Sequence, residues 1–255
     1  ARDNVAEMDN KLFTRVEKFA TDHAYMDVDW FADKIEYVGE MTHFTVFRQG
    51  KKWSRFKTPL AGEFNVRNCL GVIAAANAWG ASHETIAEGL ATFKSVRRRM
   101  EVKCQARGVT VIDDFAHHPT AVRETLRALR SKYNGSRMVA VFEPRSWSSR
   151  LSVFQQEYLA ALQLADYAIV SDVFDLEKVD QHGTALNTQM LVKDLTQAGT
   201  PSVSFSEVDE IVAHLTREVR AGDVITIMSN GGFGGIHEKL INALGQESAY
   251  TAEVS

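Results

Sequence analysis

Asp113, Asp114, His117 and His118 fall within one short run, D-D-F-A-H-H-P, closed by Pro119. Carboxylates and imidazoles this close together can hold a metal, pass protons, or hydrogen-bond the polar edge of a ligand. A metal cage is the weakest of these. Adjacent histidines on a turn seldom converge on one ion, and no third or fourth ligand recurs nearby at helix or strand spacing. A purely structural alternative stands beside the functional one: one Asp holds turn amides, and His118-Pro119 merely enters a helix.

Four glycines punctuate M-S-N-G-G-F-G-G-I-H-E-K-L, residues 228–240. Unblocked amides there could hold an anion at a helix start, with Asn230 beside them; an ordinary tight turn is the alternative. The dinucleotide pattern G-x-G-x-x-G fails, because the third glycine position counted from Gly232 is His237. A nicotinamide-dependent oxidoreductase therefore has only fold analogy behind it. In F-E-P-R-S, residues 142–146, Arg145 could grip a carboxylate or phosphate through two parallel bonds, and Ser146 follows it. By composition alone, the basic run S-V-R-R-R-M-E (95–101) is a solvated linker. In G-E-F-N-V-R-N (62–68), Asn65 and Asn68 stand one turn apart at a helix start, where Asn65 would serve as the cap.

The elements that must position these residues alternate in type. From Gly108 onward, β-rich runs at 109–114, 137–144, 166–174, 202–205 and 223–229 are separated by helical patterns at 119–133, 150–164, 187–198, 207–220 and 235–244. That alternation predicts a parallel α/β sheet, and ligands of such sheets bind at the carboxyl ends of the strands, where the D-D, F-E-P-R and S-N-G-G runs lie. Upstream, H-F-T-V-F and W-S-R-F-K read as an antiparallel pair around R-Q-G-K-K, followed by helices at 65–80 and 82–93. This is a thin core for an independent unit.

Composition narrows the functional classes. Of 255 residues 45% are apolar and 24% charged, as in folded globular proteins, and the net charge of −4 gives no basic excess for nucleic acid or an anionic membrane. No apolar run approaches the roughly 20 residues of a membrane span, and the N-terminus has no signal-peptide core, so the expected location is cytoplasmic. Cys69 and Cys104 stand apart with no C-x-x-C spacing, so neither a disulfide framework nor a zinc knuckle is indicated.

Taken in chain order, G-x-F-N-x-x-N, R-R-R-M-E, D-D-F-A-H-H-P, F-E-P-R-S and M-S-N-G-G-F-G-G-I-H form a succession that resembles the second half of the Mur ligase family, ATP-dependent ligases of bacterial cell-wall synthesis. The resemblance spans about residues 60–245. It implies a Rossmann-like C-terminal domain over 95–246, its mostly parallel sheet flanked by helices, with the incomplete end of a central α/β domain at 1–94 and a disordered tail at 247–255. The wording of the motifs is most like members that join UDP-N-acetylmuramate to the recovered tripeptide L-Ala-γ-D-Glu-meso-diaminopimelate. Members that add L-alanine typically carry Tyr and Gly where Phe115 and Ala116 stand, and a different turn at Ser146.

The resemblance further implies ATP and Mg²⁺ as cofactors and an acyl phosphate on the muramoyl carboxylate. Asn65 and Asn68 would face adenine, Arg99 the nucleotide and Asp114 the ribose, while His117, His118, Arg145, Ser146 and Asn230 would lie towards the tripeptide. The family's phosphate loop G-x-x-G-K-[ST]-[ST], its magnesium-binding Glu and His, and its carbamylated lysine match nothing in this chain, so no catalytic or metal residue is assigned. The expectation is the C-terminal portion of such a ligase, inactive alone and serving at most as a peptide- or anion-binding α/β module.

Overall fold

The computed structural model describes residues 16–22, 27–175 and 184–252, with side chains to residue 245. Two compact units divide the chain, residues 1–94 and 95–255.

In the first unit, strand β1 (Phe19–Ala20) pairs in parallel with β2 (Trp30–Val38), and β3 (Met41–Arg48) and β4 (Lys51–Thr58) continue the sheet antiparallel. The β3–β4 hairpin turns on Gln49 and Gly50, with φ of 48° and 74°. Left-handed backbone at both turn positions matches the twist of the flanking strands. Helices α1 (Glu63–Ala78) and α2 (His83–Ala91) bury Val66, Leu70, Ile73, Ile86 and Leu90 with Trp30, Phe44, Val46 and Phe56 of the sheet. The expected cap at Asn65 is corrected here. Helix α1 starts at Glu63 behind Gly62 (φ 96°), which can adopt that conformation without a Cβ clash, and Asn65 lies inside the first turn.

The second unit holds a six-stranded sheet. Strand β5 (Glu101–Ala106) runs antiparallel to β6 (Val109–Asp114); β7 (Met138–Phe142), β8 (Tyr167–Ser171), β9 (Ser202–Phe205) and β10 (Val224–Met228) are parallel to β6, in the order β5-β6-β10-β7-β8-β9. Helices α3 (Pro119–Lys132), α4 (Gln155–Leu162) and α5 (Thr188–Gln197) cover one face through Val122, Leu126, Leu129, Tyr158, Leu162, Leu191 and Leu195. Helices α6 (Val208–Glu218) and α7 (Ile236–Ala252) cover the other through Ile211, Leu215, Ile236, Leu240 and Leu244. Each such buried leucine or isoleucine contributes about 2 kcal/mol from apolar area removed from water.

Three expectations are adjusted. Strand β5 was not expected from the pattern, because E-V-K-C-Q-A is a half-exposed edge with charges in it. The expected helix at 150–164 opens as two short 3-10 turns, Ser148–Arg150 and Ser152–Phe154, before α4. The backbone of α7 continues to Ala252 where a disordered tail was expected from residue 247; residues 253–255 lie outside the described residues. Among the described residues, no helix is long and apolar enough to cross a membrane.

Chain order sets where the connections at the carboxyl edge part. The chain steps from β6 to β7, β8 and β9 through helices on one face, and α6 returns it on the other face to β10, which inserts between β6 and β7. Strands β6 and β7 therefore exit towards one face and β10 towards the other, a switch point of the kind at whose carboxyl edge open α/β sheets bind ligands. The three ends are flush: Asp114, Met228 and Phe142 stand in register.

Candidate functional site

The first residues past those strands build the rim. Ser229 N donates to the Asp114 carbonyl at 3.1 Å, and Glu143 N donates to the Met228 carbonyl at 3.0 Å, so the ladder runs one residue beyond the strands. Both side chains are buried. The Ser229 hydroxyl donates to Glu143 Oε2 and accepts from Gly231 N at 2.9 Å, tying the glycine turn to β7. The second Glu143 oxygen, Oε1, lies 3.4 Å from Nη1 of Arg145. The Arg145 guanidinium stacks on Phe174, its central carbon 3.8 Å from the ring centroid. Phe174 is itself fixed: its N–H donates to the Pro144 carbonyl at 3.2 Å, and Arg150 Nη1 donates to its carbonyl at 3.2 Å.

The paired acids at the end of β6 have different environments. Asp114 gives both oxygens to the chain: Oδ2 accepts from Met100 N at 2.8 Å, and Oδ1 accepts from Ala116 N at 2.8 Å and Thr125 Oγ1 at 3.2 Å. Burial pushes its carboxyl above the ordinary value, against the pull of those same hydrogen bonds. Asp113 faces Arg98, whose Nε is 3.3 Å from Oδ2, and His237, whose Nε2 is 3.2 Å from Oδ1. The His237 contact is poorly aligned for a hydrogen bond but is an ion pair when the ring is protonated. Burial works to raise Asp113; His237 and Arg98 outweigh it and hold the carboxyl below its ordinary value.

The basic run divides into different roles. Arg98, with φ 60°, donates from Nη2 to the Ser229 carbonyl at 2.5 Å and from its backbone N to Glu101 Oε2 at 2.9 Å, so it braces the rim. Arg99 is exposed, its guanidinium 5.8 Å from the Phe115 ring centroid. Next along the turn, His117 Nδ1 lies 2.9 Å from the Phe115 carbonyl. A carbonyl oxygen only accepts, so that contact makes Nδ1 the donor; in the neutral tautomer Nε2 is then the acceptor. His118 caps α3, accepting from Thr120 N at 3.3 Å, with Pro119 at the first helical position. The Ser146 hydroxyl accepts from Ser149 N at 3.1 Å and so closes the 3-10 turn. Asn230 Oδ1 is buried without a partner among the described residues. Asn65 and Asn68 belong to the first unit. Asn65 Nδ2 donates to the Ala61 carbonyl at 2.8 Å, and Asn68 is exposed, 3.4 Å from Asn65 Oδ1.

The structure thus gathers Arg145 and the Asn230–Gly231 turn at one strand junction and places His117 on the neighbouring turn. His118 caps α3, and Ser146 is tied into the turn at 146–149. Glu143, Ser229, Phe174, Arg98 and His237 were missed as contributors. Glu143 and Ser229 were legible, each being the first polar residue after an apolar strand; Phe174 and His237 meet the rim only through tertiary packing.

The domain described as Mur ligase, glutamate ligase domain, matches residues 98–231, a stretch that includes all three strand ends. The chain belongs to the Mur ligase family. It is 36% identical over 220 residues to the UDP-N-acetylmuramate–L-alanyl-γ-D-glutamyl-meso-2,6-diaminoheptandioate ligase of Haemophilus influenzae, covering 86% of this chain and 46% of that protein. It is 32% identical over 231 residues to the UDP-N-acetylmuramate–L-alanine ligase of Syntrophotalea carbinolica, covering 90% and 50%. The chain spans about half the length of the curated relatives it matches. Among solved Mur ligases, a murein peptide ligase from Psychrobacter arcticus superposes with a TM-score of 0.64 at 31% identity, over 95% of this chain and 49% of that one. A UDP-N-acetylmuramate–alanine ligase from Thermotoga maritima superposes with a TM-score of 0.74 at 21% identity, over 91% and 48%, which supports the fold.

Proposed function

We propose that the chain carries the peptide-facing part of an ATP-dependent ligase of peptidoglycan recycling, which joins UDP-N-acetylmuramate to L-Ala-γ-D-Glu-meso-diaminopimelate in the cytoplasm. The observation that carries this reading is Arg145, a stacked guanidinium beside an unsatisfied Asn230 at the strand junction. The substrate end opposite the reacting amine of such a peptide carries carboxylates, and a guanidinium recognises these bidentately. The similarity to ligases of that named substrate supports the choice.

In the proposed reaction the γ-phosphoryl of ATP passes to the muramoyl carboxylate, releasing ADP. The L-Ala amine, as the free base, attacks the acyl phosphate carbon; the C–O bond to phosphate breaks, phosphate leaves, and the new amide nitrogen sheds a proton. His117, with Nε2 as an acceptor in the neutral ring, faces the peptide in this proposal, and within the second unit Arg99 and Asp114 face the nucleotide. Because the chain already occupies both Asp114 oxygens, a ribose would have to share an acceptor with a backbone amide. Mg²⁺ belongs to the proposal as the ion of the nucleotide. No group of three or more His, Cys, Asp or Glu stands together among the described residues, so no ligand for it is assigned here.

Calorimetric titration of this chain tests the peptide end. The tripeptide is expected to bind about tenfold or more tightly than L-Ala-γ-D-Glu, the order of one charge-assisted contact. Equal affinities, or no binding, would sink the reading. Preference for free L-Ala would instead favour a muramate–alanine ligase, the activity of the relatives at 32% and 33% identity.

A further inference from the structure

We infer that Gly231 and Glu143 are positioning residues that hold Arg145 as a receptor for a carboxylate on the incoming amine substrate, Gly231 by lacking a side chain and Glu143 by gripping one nitrogen. The choice of ligand rests on the proposed function; the cradle itself does not.

A Cβ placed on Gly231 would sit 2.1 Å from Arg145 Nε, 2.2 Å from Cδ and 2.7 Å from Cζ, inside the space the side chain occupies. Gly231 is absent from the left-handed residues of the chain, so its backbone does not require a glycine. What requires one is room for Arg145. The guanidinium stacks on the Phe174 ring and lies against Gly231, and Glu143 reaches Nη1 alone. Among the described residues Nε and Nη2 have no hydrogen-bond partner, and the side chain is 32% exposed. That leaves one donor pair of the planar fork for a ligand carboxylate. Glu143 is anchored in turn by the Ser229 hydroxyl, which also accepts from Gly231 N, so one hydroxyl fixes both the grip and the gap. Since the atoms in the way of a Cβ belong to a flexible side chain, Gly231→Ala would displace Arg145 rather than unfold the sheet.

The test combines a spectroscopic readout with binding on the whole 255-residue chain. The Arg145 Nε–H resonance, assigned by its loss in Arg145→Lys, is expected to carry a ring-current shift that Phe174→Leu removes. Gly231→Ala should move the same resonance with the urea midpoint retained, and should weaken tripeptide binding by about tenfold or more. Adding Gly231→Ala to Arg145→Ala should weaken binding no further, because the glycine acts through the arginine. Glu143→Ala should shift the resonance, and Glu143→Gln, which keeps an acceptor, should restore most of it. A resonance and affinity unmoved by Gly231→Ala would overturn the inference, as would additive losses in the double variant. If the wild-type chain binds no tripeptide while the resonance responds as described, the carboxylate assignment falls with the proposed function and the cradle stands.

Discussion

At the scale of single residues, two neighbouring acids at one strand end have opposite electrostatic characters. Asp114 is a buried carboxyl raised by desolvation, so its ionisation works against the fold as pH rises through its native value. Asp113 is depressed despite burial, because His237 and Arg98 face it. Its contribution is therefore full above the ordinary Asp value of about 4 and is lost as pH falls through the lower native value. Asp113→Asn should lower stability at pH 7 by about 1–3 kcal/mol, given a buried pair braced by other contacts. Urea unfolding of both proteins at pH 7 and pH 3 checks this; the gap should narrow at the acid end, and an equal gap at both would contradict it. The sequence shows that D-D ends an apolar strand and that one Asp could hold turn amides, which Asp114 does through Met100 and Ala116. It does not show the partner of Asp113, since His237 approaches from more than a hundred positions away and only the order of strands brings it close.

At the scale of elements, caps decide where helices start, and they were read with mixed success for a physical reason. His118-Pro119 was legible because proline fixes the first helical φ and lacks the donor that would otherwise be orphaned. Asn65 misled because a left-handed glycine can open a helix with no side-chain cap at all. Strand β5 escaped notice because its hairpin turns on Arg107 and Gly108, φ 54° and 74°, outside the usual Asn-Gly or Asp-Gly wording. By contrast the four central parallel strands, β6, β10, β7 and β8, announce themselves as short apolar runs, being covered on both faces. The cap of α5 offers a clean test. Asn187 Oδ1 accepts from Met190 N at 2.8 Å, while its backbone exchanges two hydrogen bonds of 3.0 Å with the Gln155 amide. Asn187→Ala deletes the cap and keeps the backbone pair, so it should cost about 1 kcal/mol in a urea melt. A loss of several kcal/mol would mean that the side chain holds more than the helix start.

At the scale of the whole molecule, the order of motifs carried more than any one of them, since each turn alone has a structural explanation and their succession along a parallel sheet does not arise by composition. Phosphoryl transfer from ATP asks for a cradle of backbone amides with a lysine on the β- and γ-phosphates, and for an ion held beside them. The 255 residues contain no G-x-x-G-K-[ST] loop, and the described residues contain no cluster fit for a metal. The glycine turn at 231–235 does not replace the loop, because its Gly231 is filled by Arg145 and no lysine follows within it. Given ATP, Mg²⁺, UDP-N-acetylmuramate and the tripeptide, this chain is expected to yield no UDP-muramoyl-tripeptide by mass spectrometry, while the same preparation still binds the tripeptide calorimetrically. Binding without turnover would show that this chain recognises the amine substrate without activating the carboxylate. Product formation would require a phosphate site that no recognisable loop supplies, with Arg99 and the glycines at 231–235 the first to be substituted in search of it.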